Sequence, residues 1–229
     1  MATVFSTETG KDGLVITGAV SSDDRIAIPD TIDGAKVTKL GSRFLRGIQG
    51  KADHTLIIPS SVRSAAEDAL ELSVNIRHIV YDGDFGTFSS FCWYTECECE
   101  VICNDMAFQF PANHHISFPA FDREMLSSNH TDFDRFALKR LSEPMYLEQE
   151  FREGYRSRMR DRSLRIAQHA VTSNDTDALI GLFDADVLSD SDLSSMLRFS
   201  LSSGRVPSTS VIMSEINRRH RRSSRVCRP

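Results

Sequence analysis

Four of the chain's five cysteines fall close together, at Cys92, Cys97, Cys99 and Cys103, and two histidines, His114 and His115, follow shortly after. Thiolate and imidazole are zinc ligands, and four of them close a tetrahedral site. Zinc motifs, however, space their cysteines in two separated pairs, roughly two to four residues apart within each pair, and this stretch has a different spacing. Cys92 stands directly before Trp93, where Ala69 stands in a related upstream segment. A free cysteine at such a position acts as a small buried hydrophobe. Cys97, Cys99 and Cys103 are odd-numbered positions of an expected strand and so share one face. The cluster is therefore expected to be structural, with no metal and no cofactor.

Nucleophilic catalysis needs a serine or cysteine set against a histidine and an acid. No nucleophile elbow, HExxH pair or glycine-rich phosphate loop accompanies the ingredients here. Gly83-Asp84-Phe85-Gly86 reads as a turn. No catalytic residues are assigned, and the chain is expected not to be an enzyme.

Arg218, Arg219, Arg221, Arg222, Arg225 and Arg228 form the one basic cluster. They are able to neutralise phosphates, with strong salt dependence. No aromatic residue lies among them to stack on single-stranded bases. The competing expectation is a solvated tail after the last helix. Asn129-His130-Thr131 fits a glycosylation sequon, which has no meaning without secretion.

The 229 residues carry a net charge of −5, with 40% hydrophobic and 26% charged residues. That composition supports a packed core and argues against a dedicated nucleic-acid binder, whose domain is usually strongly basic. No apolar run approaches the roughly 20 residues of a membrane helix. The first residues, Met1 to Glu8, have neither the basic start nor the apolar centre of a secretory signal, so a cytoplasmic location with reduced thiols is expected.

The first half is periodic. Segments starting at Val37, Val62 and Phe85 share a nine-residue frame with apolar residues at the first, fourth, eighth and ninth positions. Their starts lie 25 and 23 residues apart, inside the leucine-rich-repeat range. Each frame follows a short alternating stretch: Ile26 and Ile28, Leu56 and Ile58, Ile79 and Tyr81, with Glu100 and Ile102 as a weaker fourth. Alternation puts each pair on one face of a strand, and Pro29 and Pro59 end the first two strands. Stacked coils of this kind make a small parallel sheet backed by the apolar frame positions.

Ile28-Pro29-Asp30-Thr31, Gly34 to Leu40 and Ile58-Pro59-Ser60-Ser61-Val62 resemble the BspA-like leucine-rich repeats of bacteria. The resemblance covers about residues 14 to 105. It departs where Phe44-Leu45 replaces a small-then-aromatic pair and where Ala65 is undersized. The resemblance implies an adhesive or ligand-binding solenoid without catalytic residues. Coils cannot bury their own faces, so the open end of the stack needs a cover, and the downstream helices are the candidate.

Pro111, His114, His115 and Pro119 mark an exit from the solenoid. Phe133, Phe136, Ala137, Leu138 and Leu141 then give a helical pattern, which Pro144 interrupts, and helical spacing resumes from Leu147 to Val171. Asn174 is expected to cap a helix containing Leu179, Ile180, Leu182 and Phe183. Ser189 with Asp192 is expected to cap one containing Leu193, Met196, Leu197 and Leu201, ended by Gly204. Val211, Ile212 and Ile216 belong to a final helix, and Ile180–Phe183 resembles Ile212–Ile216 at an ankyrin-like offset.

The expected architecture is α+β: a short leucine-rich-repeat-like parallel β solenoid over residues 1–110, a linker and first helix over 111–145, an ankyrin-like helical domain over 146–217 and a basic disordered tail over 218–229. The expected function is recognition of another protein. Ala27, Ile57, Val80 and Val101 are assigned as outward sheet positions. Four apolar residues there mean either a binding surface or a sheet covered by the helices. The alternative function is a regulatory or phage-type factor that binds nucleic acid through Arg218, Arg219, Arg221, Arg222 and Arg225.

Overall fold

The fold is that of a computed structural model, which describes residues 3–48, 53–71, 73 and 75–226. It divides into two compact units, Met1–Glu124 and Met125–Pro229.

The first unit opens with a hairpin of β1 (Val4–Thr9) on β2 (Leu14–Val20). Gly13 turns the hairpin at φ 145°, and a Cβ there would stand 2.5 Å from Lys36 O, so only glycine fits. Then come β3 (Arg25–Ala27), β4 (Thr31–Ile32), β5 (Ala35–Leu40), β6 (His54–Ile58), β7 (Ser64–Ala65) and β8 (Ile76–Tyr81). A single helical turn, α1 (Phe85–Ser89), precedes β9 (Tyr94–Thr95), β10 (Cys99–Cys103), β11 (Met106–Phe110) and β12 (His114–His115).

Successive strands alternate between two sheets. β2, β5 and β7 pair in parallel in one. β3, β6, β8 and β10 pair in parallel in the other. The chain thus winds as a β-solenoid of about four turns, with α1 standing where the next short strand would fall.

The apolar ladder inside the coil follows from strand parity. Ile26 pairs with Leu56, Leu56 with Ile79, Ile79 with Val101, and Val101 with Phe108; the first four are wholly buried. The frame residues behind them are buried in two coils: Val37, Leu40, Phe44 and Leu45, then Val62, Ala69 and Leu70. The third coil departs from the frame. Cys92 is exposed at φ 52°, and Phe91 takes its place in the core beside Trp93. An aromatic core explains the shift, because Phe85, Phe88, Phe91 and Trp93 fill the volume that aliphatic side chains fill upstream.

The stretch from Pro111 to Pro119 is no linker. β11 runs antiparallel to β10, β12 pairs with β9, and Ile116 and Phe118 are buried. Phe108, Phe110, Phe118 and Phe121 pack with ring centroids 5.0 to 5.8 Å apart and close the last coil. Within the first unit, the final strand and these aromatic residues thus close the last coil. Phe121 lies in α2 (Ala120–Ser127), which runs across the division between the units.

The second unit is helical: α3 (Phe133–Ser142), α4 (Gln149–Ser173), α5 (Thr176–Asp184), α6 (Asp190–Ser202) and α7 (Val206–Val226). Pro144 falls between α3 and α4 as the spacing requires. Ser189 and Asp192 form the expected capping box of α6, and Gly204 follows its end at φ 64°. Asn174, expected to start α5, instead ends α4 in the left-handed region, and Asp175 caps α5 by accepting from Ala178 N. Both residues suit both roles, and α4's extra turn decides between them. Arg158 lies 4.0 Å over the Phe133 ring and donates to Met125 O, Leu126 O and Ser128 O at the end of α2. Ile180 is 44% exposed whereas Ile212 is fully buried, so the two positions matched at the ankyrin-like offset are not equivalent.

Candidate recognition surface

The solenoid sheet formed by β3, β6, β8, β10 and β11 turns one row of side chains inward and the next outward. Pairing fixes the outward rows. Ala27 stands opposite Ile57, Ile57 opposite Val80, Val80 opposite Ile102, and Ile102 opposite Ala107. All five keep solvent access, from half-buried Ile57 and Val80 to Ile102 at 38% exposure. At the usual strand spacing the row spans about 19 Å across five strands.

Three of the four residues assigned to this face from sequence lie on it. Val101 does not: it is wholly buried and pairs with Ile79. Taking Glu100 and Ile102 as the inward pair inverts the parity of β10, because it turns the face shared by Cys99 and Cys103 outward. Cys99, Val101 and Cys103 form the inner face, and Glu100 and Ile102 the outer one. Counting Cys99 and Cys103 as core hydrophobes would have set the right parity, and Ile102 and Ala107 would have followed.

A polar row runs alongside the apolar one: Arg25, Thr55, His78, Glu100 and Gln109. His78 Nδ1 lies 3.0 Å from Glu100 Oε2, which orders the middle of the row. Arg25 ends it as an exposed cation on β3.

The cysteine and histidine cluster does not converge. Among the described residues no group of three histidine, cysteine or acidic side chains has metal-binding geometry. Burial pushes the thiols of Cys99 and Cys103 up to about 12. His114 is buried with Nδ1 3.0 Å from Ala112 O, and His115 Nδ1 meets Glu124 Oε1 at 2.7 Å.

From Arg218 to Arg225 the basic cluster is helical rather than a disordered tail, because α7 extends to Val226; Arg228 lies outside the described residues. Two of its arginines are structural. Arg218 and Arg219 both donate to Glu215, itself 5% exposed, and Arg219 also reaches Leu188 O at 2.8 Å and Asp190 Oδ1 at 3.2 Å. Burial pushes the Glu215 carboxyl up, and the two arginine hydrogen bonds more than offset this and hold it below the usual range. Arg221 and Arg222 are exposed, with no ion pair among the described residues. The side chain of Arg225 lies outside the described residues.

No protein-family model, curated protein or solved structure matches the chain. The class comes from the fold itself: an α+β repeat protein in which a β-solenoid precedes a helical unit. Among the described residues no helix is long and apolar enough to cross a membrane.

Proposed function

We propose that the chain is a non-enzymatic, cytoplasmic recognition protein that binds another protein through the outward face of its solenoid sheet. The observation that carries this is the unbroken apolar row Ala27–Ile57–Val80–Ile102–Ala107, one side chain wide, beside a polar row that carries Arg25 and Glu100. Repeat proteins build extended contact surfaces of this kind, and contiguous exposed apolar area marks interaction sites. The partner presents an apolar strip that crosses the strands, with an acidic group opposite Arg25. The leucine-rich-repeat and BspA-like assignment is part of the same proposal and rests on the coil spacing and the Ile-Pro strand ends; the ankyrin-like label has weaker support, since Ile180 and Ile212 differ in burial.

Polyanion binding through α7 is the rival, and it has two exposed arginines at its disposal, Arg221 and Arg222, with no ion pair among the described residues. The test is site-specific photocrosslinking in the native host, with the crosslinker at Ile57 or Ala107 and a control at Lys39 on β5. Adducts specific to the sheet face that vanish in an Ile57→Asp/Val80→Asp variant support the proposal. Equal adducts from Lys39, or adducts indifferent to the aspartates, refute it.

A further inference from the structure

A cleft of about 400 Å³ opens at a corner of the solenoid, where the coil leading into β8 meets the coil leading into β10. Its floor is apolar: Leu70, Ile76, Ile79 and Cys99, all buried core side chains. Its rim is acidic, with Glu67, Asp68 and Glu71 from one coil and Glu96 from the next. Tyr94, 43% exposed, forms an aromatic wall beside Glu96. The volume is near the low end of organic ligand sites, about 300–1,000 Å³.

The rim is not balanced internally. Arg43 meets two of its carboxylates, 2.8 Å from Glu71 Oε2 and 3.6 Å from Asp68 Oδ2, and Arg77 lies close enough to the floor to act on Cys99. Ser42 donates to the same Asp68 oxygen at 2.6 Å. Glu67 and Glu96, from different coils, both line the opening and have no such partner among the described residues. A group that fills this cleft must bring an apolar stem for the floor and a positive head for the rim. A bare metal ion satisfies the rim but leaves the floor empty, and among the described residues no three acidic or thiol groups converge to hold one.

We propose that the cleft receives an arginine side chain from a partner's peptide segment, with its methylenes against Leu70, Ile76 and Ile79 and its guanidinium between Tyr94, Glu67 and Glu96. Arginine fits better than lysine because its planar head stacks on an aromatic ring while its fork meets two carboxylates. The site is distinct from the sheet face and does not depend on it.

The full chain, labelled with nitrogen-15, is titrated with acetylarginine amide and with acetylcitrulline amide, the neutral isostere. The expected result is saturable movement of the Tyr94 and Glu96 amide signals with arginine only. A Glu67→Gln/Glu96→Gln variant, which keeps side-chain size, weakens that binding roughly fivefold or more, while Glu8→Gln on β1 leaves it unchanged. Equal binding of citrulline, no movement at Tyr94 and Glu96, or an unaffected double variant overturns the proposal. Movement confined to outward residues of β6 and β8 also overturns it, while leaving the sheet-face proposal standing.

Discussion

Glu215 and Arg219 stand one helical turn apart on α7, with Glu215 Oε1 2.8 Å from Arg219 Nε, and the carboxylate they share with Arg218 is almost wholly buried. A run of arginines that looks solvated in sequence is therefore half committed to holding α7 against the Leu188–Asp190 segment.

Removing that carboxylate takes from Arg218 the carboxylate it donates to and leaves Arg219 only its bonds to Leu188 O and to the exposed Asp186 and Asp190. Glu215→Ala is expected to cost about 2–3 kcal/mol, below the loss for a fully buried pair because Arg218 stays partly solvated. Urea unfolding followed by helical circular dichroism measures it. The depressed carboxyl also sets a pH dependence. Its stabilisation is complete above the ordinary glutamate value of 4.5 and is lost as pH falls through the lower folded value. Glu215→Gln is expected to flatten the melting-temperature profile below that pH.

Strand parity on β10 is open to a paired test. Val101 is wholly buried and Ile102 is 38% exposed. Val101→Asp buries a charge in the ladder and is expected to prevent the solenoid from folding. Ile102→Asp is expected to shift stability by less than about 1 kcal/mol. Circular dichroism and urea titration of both variants decide it.

The thiols differ in reactivity by position. Cys92 is exposed, whereas burial keeps Cys99 and Cys103 protonated up to about pH 12. Brief alkylation of native protein at mildly alkaline pH is expected to modify Cys92 ahead of Cys99 and Cys103. Mass-spectrometric peptide mapping reads the order, and early modification of Cys99 would contradict the buried inner face of β10.

Any attraction to nucleic acid is expected to be non-specific, at about 10⁻⁶ M or weaker at physiological salt. Arg221→Glu/Arg222→Glu is expected to abolish it and to leave the helical unit folded. Polarisation of a labelled oligonucleotide across salt concentrations gives the slope. A tight, sequence-selective complex would favour the rival function.

The coil spacing, the parity of β3, β6 and β8 and the capping box at Ser189 were legible because each is a local pattern of side-chain type. β10 was misphased because its inward residues are two cysteines and a valine, which carry no strong alternation beside Ile102. β11 is a hairpin partner of β10 across the two-residue turn Asn104-Asp105, and it stayed hidden with the phase of β10, whereas the aromatic closure was hidden because Phe85 and Phe118 lie far apart in sequence and are joined only by packing. The acidic cleft escaped for the same reason: Glu67 and Glu96 lie in different coils, and only winding brings them to one opening.

The alternating passage of the chain between two sheets has a metric consequence. Every added turn lengthens the outer face by about 4.8 Å, so the solenoid acts as a molecular ruler. Inserting one coil between β6 and β8 would carry Arg25 away from Glu100 by that increment and leave every buried contact type intact. Selectivity on such a surface resides in the number of turns as much as in the identity of any side chain.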